Sequence, residues 1–318
     1  MNITSETVFI VNPMSNGGRT EKKWKTTLPL IHQFFPESTS LLTSSRGDAF
    51  SFAQKCLKNE NVKKIISVGG DGTNNEIINS FFKDKKILRD DCSFGILPMG
   101  TGSDFSRTIS MPHQEKLALQ ILREGEKIWC DIGHVKFLKF GQEEERYFLN
   151  AFSFGLTGVS AKLIHEKGFK KNKFTYFTKG LESLFQYKPQ NIELYSKSEK
   201  LFQGPVILVA VANGRYFAAG MKVAPDANLQ TGLLDIILVK NQSKLTLLKK
   251  FFSLYHGTHI DGDKVKLIRR DEIKATSSEI VFSECDGEES SQLPFEATCL
   301  KKALPLIIPR GFFNLNSQ

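Results

Sequence analysis

Three short apolar runs in the first third of the chain each end in a turn built from small residues. The runs cover residues 8–11, 65–68 and 94–97, and a helical pattern follows each turn. Strands that alternate with helices predict a parallel sheet with helices on both faces. Ligands of such sheets bind at the loops beyond the carboxyl ends of the strands. The sequence therefore places all three turns at one binding edge.

The second turn, GGDGT at residues 69–73, carries an aspartate between glycines. Small residues let a phosphate approach the backbone, where free N–H groups and the positive end of the next helix attract it. Asp71 would repel that phosphate unless the carboxylate binds a divalent cation that bridges the phosphates. Thr73 can cap the helix or donate to a phosphate. The alternative is a plain Asp-Gly turn. In either case we expect a carboxylate at this edge to contribute little to packing.

The other two turns read NPMSNGG at residues 12–18 and GTGSDFSR at residues 100–107. The third turn places Thr101, Ser103 and Asp104 at a helix start, which is also the pattern of an ordinary N-cap. A single turn of this kind is weak evidence. Three turns on one sheet edge, two of which carry an aspartate, favour a site for a nucleotide and a metal.

The pattern changes after about residue 130, where strand-like runs dominate and helical interruptions fall near residues 158–187 and 243–255. This pattern predicts a mostly antiparallel second domain. We therefore expect an α/β domain over residues 1–129 and a β domain over residues 130–308. Residues 309–318 would form a tail that returns to the first domain.

The composition narrows the class of partner. The net charge of +9 suits an anionic partner, which includes a nucleotide, a membrane surface or a nucleic acid, but no nucleic-acid module is visible. No apolar stretch is long enough to span a membrane, and the first residues do not have the pattern of a secretory signal. The five cysteines are scattered and form no C-x-x-C pair. The expected location is therefore the cytoplasm.

Taken together, these motifs resemble the diacylglycerol kinase catalytic family, in particular the small bacterial soluble lipid kinases. The matching stretches, in the family's order and spacing, are NPMSNGG, TSSRGDA, GGDGTNNE, LPMGTGSDFSR, NGRYFAAGMKVAPDA and DGE. The resemblance implies a Rossmann-like, phosphofructokinase-like α/β domain followed by a β-sandwich. It also implies transfer of the γ-phosphoryl group of ATP, with Mg²⁺, to a lipid hydroxyl.

The resemblance assigns roles to individual residues. Those expected to contact the nucleotide are Asn12, Pro13, Met14, Ser15, Asn16, Thr43, Gly70, Asp71, Gly72, Thr73, Asn74, Asn75, Glu76 and Thr101. The expected catalytic carboxylates are Glu288 as base, Asp286 beside it as a metal-binding or positioning group, Asp71 and Asp104. A carboxylate that orients or deprotonates the attacking hydroxyl suits phosphoryl transfer. On its residues alone, however, SECDGEES is better explained as an acidic hairpin turn.

Two positions depart from the family pattern. Ser103 stands where the family usually has asparagine, and Thr231 stands where an aspartate commonly serves a structural Mg²⁺. Asn228 and the Leu233 carbonyl are the remaining positions for ligands. Because a neutral hydroxyl is a poor substitute for a carboxylate on Mg²⁺, we expect this metal to be absent or held differently.

Several alternatives stay open. An NAD kinase-like enzyme would share the Gly-Gly-Asp-Gly core, although it does not explain the other motifs together. A non-enzymatic alternative is a lipid-binding or regulatory homologue that has lost catalysis. Candidate acceptors are diacylglycerol, phosphatidylglycerol, a sphingoid base, ceramide and an isoprenoid alcohol. The Lys- and Phe-rich run at residues 162–188 predicts reversible docking on an anionic membrane surface. The same run equally fits a helical hairpin with core aromatics.

Overall fold

The computed structural model describes residues 3–139, 142–166 and 173–312, and the side chains of residues 139, 164–166, 173–177 and 288–291 lie outside the description. The chain forms two compact units. The first is Met1–Cys130 with Lys302–Gln318, and the second is Asp131–Lys301. The sequence placed residues 302–308 in the second domain, whereas the structure assigns them to the first unit.

The secondary structure follows the chain in this order. The strands are β1 (Thr7–Val11), β2 (Thr39–Leu42), β3 (Lys64–Gly69), β4 (Phe82–Lys83), β5 (Lys86–Ile87), β6 (Ser93–Pro98), β7 (Glu126–Lys139), β8 (Gln142–Phe148), β9 (Ala151–Gly155), β10 (Gln190–Ser196), β11 (Glu199–Ala212), β12 (Leu234–Lys240), β13 (Val265–Arg270), β14 (Glu272–Thr276), β15 (Phe282–Cys285) and β16 (Glu288–Ile308). The helices are α1 (Arg19–Phe34), α2 (Asp48–Leu57), α3 (Asp71–Ser80), α4 (Asp104–Thr108), α5 (Glu115–Glu124), α6 (Leu156–Glu166), α7 (Lys173–Gln186) and α8 (Lys244–Ser253).

The sheet of the first unit is parallel, as the alternating pattern predicts. Its strands lie in the order β2-β1-β3-β6, and every neighbouring pair among them is parallel. Leu306, near the end of β16, pairs with Phe94 of β6 in a parallel register, which explains why residues 302–308 belong to this unit. Arg310 then donates from Nε to the Glu124 carbonyl at 2.8 Å. The described part of the tail thus packs on the first unit.

The central strands of this sheet are near-continuous runs of buried apolar residues, because helices cover both faces. In β1, for example, Val8 and Phe9 are fully buried although they point to opposite faces. The carboxyl ends of β1, β3 and β6 lie side by side in register, with Val11 opposite Val68 and Gly69 opposite Pro98. The three turns of small residues therefore begin at one edge of the sheet.

The second unit is built mainly from antiparallel strands, as expected. The pairs β10–β11, β11–β12, β12–β13, β10–β14 and β9–β11 are all antiparallel. Alternate residues of β11 face two different cores. Val209 and Val211 pack in one apolar cluster, whereas Leu208 and Ala210 pack in a second cluster that includes residues of α7 and α8. Because both faces of β11 are buried, its sequence is an unbroken run of apolar residues and does not alternate between apolar and polar residues.

The helices of the second unit fall where the two helical interruptions were predicted. The helix α6 packs against β9 and β15, and α7 packs against α6 and α8. Lys170, Lys171 and the side chain of Lys173, which the sequence predicts to meet a membrane, lie outside the described residues. Among the helices described here, each is too short or too polar to cross a lipid bilayer.

Candidate functional site

Hydrogen bonds connect the first turn (residues 12–18) to the second (residues 69–73) and to the third (residues 100–107). Asn12 donates from Nδ2 to Oγ1 of Thr73 at 3.0 Å. Thr101 donates from Oγ1 to Oδ1 of Asn16 at 3.1 Å. Three turns that are far apart in the chain thus form one polar cluster at the carboxyl edge of the sheet. Four of the residues expected at the nucleotide hold this cluster together.

The second and third turns also touch through their backbones. The N–H groups of Met99 and Gly100 both donate to the Gly69 carbonyl, at 3.1 and 2.7 Å. A Cβ atom placed on Gly100 would lie 2.2 Å from the Cα of Gly70, so no larger residue fits at position 100. Sequence reasoning explained these glycines by the approach of a phosphate. The structure adds a second reason, which is the close contact between the two turns.

The carboxylate of Asp71 caps the short helix α4. Its Oδ2 accepts the N–H of Asp104 at 3.0 Å, and its Oδ1 accepts the N–H of Phe105 at 3.1 Å. The side chain at the N-cap itself, Ser103, makes no capping bond and donates instead to the Gly100 carbonyl at 3.3 Å. The expectation that Asp71 contributes little to packing is therefore wrong. These two bonds give Asp71 a structural role, because they join the second turn to the start of α4.

The loop after β2 is joined to the helix α3. Thr43 donates from its backbone N–H to the Val11 carbonyl at 2.8 Å, and Gly47 donates from its N–H to Oε2 of Glu76 at 3.1 Å. Asp48 accepts the backbone N–H groups of Ser44 and Ser45, which lower its pKa to about 2, with Ser44 as the larger cause. Glu76 is thus a residue that positions the Thr43 loop beside the turns.

The remaining residues expected at the nucleotide differ in exposure. Met14 is 70% exposed and donates from its N–H to Oδ1 of Asn12. Ser15 shares a 2.6 Å hydrogen bond with the Thr20 hydroxyl. Pro13, Gly70 and Asn75 are half-buried, and Gly72 is exposed. Asn74, in contrast, is only 1% exposed, so its side chain lies inside the unit.

In the second unit, Asp286 anchors a turn between β8 and β9. Its Oδ2 accepts the N–H of Leu149 at 3.0 Å, and its Oδ1 accepts those of Asn150 and Ala151 at 2.9 and 3.1 Å. Asn213 supports the same turn by donating from Nδ2 to the Leu149 carbonyl at 2.9 Å. These contacts hold the turn in place, and the metal-binding or positioning role expected for Asp286 stays a prediction.

Glu284 is a buried carboxylate that sequence reasoning missed. It is 4% exposed, its Oε2 accepts the N–H of Gly287 at 2.7 Å, and its Oε1 bonds the hydroxyl of Ser153. The Ser153 hydroxyl also lies 2.7 Å from that of Thr157. Nothing in the acidic stretch SECDGEES distinguishes this glutamate from its neighbours. Glu288, the expected base, begins β16, and its side chain lies outside the described residues.

The loop that corresponds to the family's structural metal site, where the sequence predicts the metal to be absent or held differently, contains a hydroxyl between two carbonyls. Oγ1 of Thr231 lies 3.4 Å from the carbonyl oxygens of Asn228 and Leu233, and it accepts the N–H of Leu233 at 3.2 Å. Oδ1 of Asn228 accepts the N–H of Gln230. Mg²⁺ requires near-octahedral oxygen ligands at about 2.0–2.1 Å and is usually held by carboxylates, so these neutral groups do not fit it. Over residues 3–139, 142–166 and 173–312, no group of three or more His, Cys, Asp or Glu side chains could hold a metal.

Comparison with known proteins identifies both units. Residues 6–135 match the family described as the diacylglycerol kinase catalytic domain, and residues 150–308 match the YegS C-terminal NAD kinase beta sandwich-like domain. A diacylglycerol kinase of Staphylococcus saprophyticus is 30% identical over 311 residues, which cover 96% of each chain. The family resemblance drawn from the motifs is confirmed.

Solved structures agree on the fold. A crystal structure of a diacylglycerol kinase from Bacillus anthracis is 20% identical, covers 98% of this chain and 100% of its own, and gives a TM-score of 0.71. A yeast NADH kinase complexed with NADH is 11% identical, covers 98% of this chain and 86% of its own, and gives a TM-score of 0.54. The expected α/β domain with a C-terminal β-sandwich is confirmed.

Proposed function

The chain belongs to the diacylglycerol kinase family, and we propose that it transfers the γ-phosphoryl group of ATP to the hydroxyl of a diacylglycerol-like lipid with Mg²⁺. Membership makes it a kinase, and the nature of the acceptor is the proposal. One observation carries the assignment of ATP as phosphoryl donor, namely the polar cluster in which Asn12, Asn16, Thr73 and Thr101 join three turns at the carboxyl edge of a parallel sheet. Such an edge is where this class of fold binds phosphorylated ligands.

The start of α3 supports the placement of the phosphates. The N-cap of this helix is Gly70, and no side chain caps it among the described residues. The first N–H groups of a helix have no partner within the helix and attract anions. Gly72 is exposed at this point. We therefore assign the phosphates of ATP to the second turn and the start of α3, with Thr101 and Asn16 beside them.

The proposed reaction is a direct phosphoryl transfer. The oxygen of the lipid hydroxyl forms a bond to the γ-phosphorus while the bond from that phosphorus to the β–γ bridging oxygen breaks, and ADP leaves with the electron pair. The proton of the hydroxyl passes to a carboxylate, which we assign to Glu288, and then to solvent. Most catalysis of this kind is positioning and charge neutralisation. Mg²⁺ would supply that neutralisation when bound with the nucleotide, and the carboxylate of Asp71 would hold it.

The carboxylate turn formed by residues 284–288 fits the positioning part of this mechanism. Asp286 fixes one side of the turn through three backbone N–H groups, and Glu284 fixes the other side through Gly287. Hydrogen bonds that fix the backbone before the base would reduce the conformational freedom lost when the base meets the hydroxyl. The proposed base, Glu288, follows Gly287 directly in the chain.

A lipid acceptor requires contact with a membrane surface, and the outer face of α8 suits that contact. Leu245 is 66% exposed and Phe252 is 52% exposed, and exposed Lys249 lies between them on the same helical face. Leu247 and Phe251 point inward and are buried. Exposed apolar side chains beside a lysine, on a chain with a net charge of +9, are suited to the headgroup region of an anionic bilayer. We propose peripheral docking of this kind through α8.

A panel assay tests the proposed reaction. The protein is incubated with Mg²⁺ and ATP labelled at the γ-phosphate, together with diacylglycerol, phosphatidylglycerol, a sphingoid base, ceramide or an isoprenoid alcohol in mixed micelles. The expected result is a labelled product that extracts into organic solvent. An arm with NAD tests the second candidate, which the structural likeness to the yeast NADH kinase favours. Labelling of NAD but of no lipid would replace the proposed function by that of an NAD kinase.

Sedimentation with vesicles tests the membrane surface separately. The double variant Leu245→Glu and Phe252→Glu should bind less to vesicles that contain phosphatidylglycerol, and salt should weaken the binding of the wild type because screening shortens the reach of the lysines. Leu117→Glu is the matched control, since Leu117 is an exposed leucine on α5, a helix of the first unit. Equal sedimentation of the double variant and the control would remove α8 from the docking surface.

A further inference from the structure

Each backbone N–H and carbonyl group of the turn between β8 and β9 has a hydrogen-bond partner. The three N–H groups donate to the carboxylate of Asp286. The carbonyls of Leu149 and Asn150 accept from Asn213, through its Nδ2 at 2.9 Å and its backbone N–H at 2.8 Å respectively. The carbonyl of Ala151 accepts the N–H of Asp286 at 2.9 Å. Asp286 and Asn213 therefore fix the position of this turn, termed here the 149–151 turn, between them.

Asn213 uses both hydrogens of its side-chain nitrogen. It is only 2% exposed, and besides the Leu149 carbonyl its Nδ2 donates to the carbonyl of Asp131, in β7, at 3.1 Å. A primary amide has two donor hydrogens, whereas the carboxylate of an aspartate, which has the same size, has none. Asn213 thus joins the 149–151 turn to β7 through bonds that a carboxylate or an apolar side chain cannot replace.

Asp131 extends the network to the loop at residues 228–233, which corresponds to the family's structural metal site. Its side chain is buried, its Oδ2 accepts the N–H of Gly232 at 2.6 Å, and its own N–H donates to the Leu229 carbonyl at 2.6 Å. A buried carboxylate is stable only when donors satisfy it. Gly232 has a φ of +73°, and a Cβ there would lie 2.9 Å from Cδ of Lys301. Direct hydrogen bonds that require a glycine thus attach the loop to β7.

We propose that Asn213 is a positioning residue for phosphoryl transfer, and that its hydrogen bonds, with those of Asp131, hold the loop and the 149–151 turn together without a structural metal. The neutral groups around Thr231 do not fit Mg²⁺, so in this chain the loop depends on its bonds to Asp131. At the other end, the network reaches the carboxylate turn through Asp286. The assignment rests on the proposed function, because the reaction that the carboxylate turn serves is the proposed phosphoryl transfer to a lipid.

Hydrogen exchange tests the network without any acceptor. Asn213→Asp keeps the size of the side chain, removes both donors and sets a carboxylate against two carbonyls. Asn59→Asp is the matched control, because Asn59 donates from Nδ2 to the Ile3 carbonyl at 2.6 Å in the first unit. Both variants should lower the Tm, but only Asn213→Asp should raise the exchange rate of the N–H groups in the 149–151 turn, by about tenfold. An unchanged rate in folded Asn213→Asp would overturn the proposal.

Steady-state kinetics test the positioning role. Asn213→Asp should lower kcat with dioctanoylglycerol about 10- to 100-fold, because small displacements of catalytic groups have effects of this order, and it should leave the KM for ATP unchanged. Asn213→Ser keeps a hydroxyl donor for one of the two carbonyls, so its kcat should lie between those of the wild type and Asn213→Asp. This milder variant decides the matter if Asn213→Asp does not fold. Asn59→Asp should keep the kcat of the wild type. A wild-type kcat in both folded Asn213 variants would overturn the role.

Binding of Mn²⁺, a paramagnetic substitute for Mg²⁺, tests the metal-free loop by electron paramagnetic resonance in the absence of nucleotide. The wild type should hold no Mn²⁺ that depends on Thr231. Thr231→Asp should gain one site, because a carboxylate then joins the carbonyls of Asn228 and Leu233. Mn²⁺ that the wild type binds and that Thr231→Ala releases would overturn the metal-free part of the proposal.

The outcomes separate this proposal from the proposed function. Faster exchange of the 149–151 turn in Asn213→Asp, in a protein that phosphorylates no lipid, would support the network and refute the lipid kinase. Lipid phosphorylation with unchanged kcat and unchanged exchange in Asn213→Asp and Asn213→Ser would refute the role of Asn213 and leave the lipid kinase standing.

Discussion

Replacing Asp71 separates its capping role from its expected role at the nucleotide. Asp71→Ala removes both acceptors of the N–H groups of Asp104 and Phe105, which lie at 3.0 and 3.1 Å. Asp71→Asn keeps one amide oxygen as an acceptor and removes the negative charge. Asp90→Ala is the matched control, since Asp90 is an exposed carboxylate of the same unit.

The magnitude follows from the two bonds. A hydrogen bond to a charged group contributes about 1.5–3 kcal/mol, and loss of a helix cap costs about 0.5–2 kcal/mol. Because Asp71 is half-buried, we take the lower end for each bond. Asp71→Ala should then lower the free energy of unfolding by about 3 kcal/mol, and Asp71→Asn by about half as much. At about 2–4 °C per kcal/mol for a domain of this size, Asp71→Ala should lower the Tm by about 6–12 °C.

Thermal unfolding and phosphoryl transfer are measured on the same preparations. We expect both Asp71 variants to lose most turnover with ATP and Mg²⁺, and the loss of stability to be larger in Asp71→Ala. Asp90→Ala should stay within about 0.5 kcal/mol of the wild type. An unchanged Tm in Asp71→Ala would refute the capping role. Full turnover in Asp71→Asn at a temperature where it is folded would refute the role of the charge at the nucleotide.

Three further predictions concern other carboxylates and one hydroxyl. Thr231→Asp should lower the Tm in EDTA, because the new carboxylate would face two carbonyl oxygens, and millimolar Mg²⁺ should raise the Tm of this variant again. A Tm of the wild type that rises with Mg²⁺ in the absence of nucleotide would contradict the conclusion that the neutral groups around Thr231 do not fit Mg²⁺. The pKa of Asp48 is lowered from 3.8 to about 2, so the stabilisation from its hydrogen bonds is complete above pH 3.8 and is lost as the pH falls through 2. The Tm difference between the wild type and Asp48→Asn should therefore shrink toward acid pH. A constant difference would contradict the bonds to Ser44 and Ser45. Glu284→Ala should lower kcat for the lipid more than Glu284→Gln does, because glutamine keeps an acceptor for the N–H of Gly287. Neither variant should change the KM for ATP much. Equal losses of kcat in the two variants would refute the positioning role of Glu284.

The architecture of the first unit could be predicted because its signals are local. The apolar runs at β1, β3 and β6, and the turns that follow them, specify strand, turn and helix from neighbouring residues alone. The parallel sheet then places the turns at one edge without further information. The role of Asp71 could not be predicted in the same way, because its partners Asp104 and Phe105 lie more than thirty residues away in the chain. A cap supplied from another loop leaves no local pattern.

The carboxylate turn shows the same limit. The family motif pointed to Asp286 and Glu288, whereas Glu284 lies two residues before the motif in a stretch that resembles a solvated acidic turn. Only the fold shows that this glutamate is buried, because its burial depends on Ser153 and Thr157 from other elements. An apolar cavity in the second unit is likewise invisible in the sequence, since its lining residues, among them Ala161, Leu208 and Phe251, come from several elements and none of them is unusual in its own segment.

A competition experiment tests the central claim, that this kinase phosphorylates a lipid, most directly. The protein is given ATP labelled at the γ-phosphate, Mg²⁺, NAD and micelles that contain diacylglycerol in one reaction, and the label is measured in the organic and aqueous products after extraction. The account predicts that the label appears in an organic-soluble phosphorylated lipid in amounts that grow with time, and that NAD stays unlabelled. Label that accumulates in NADP, or that is released only as inorganic phosphate, would contradict it.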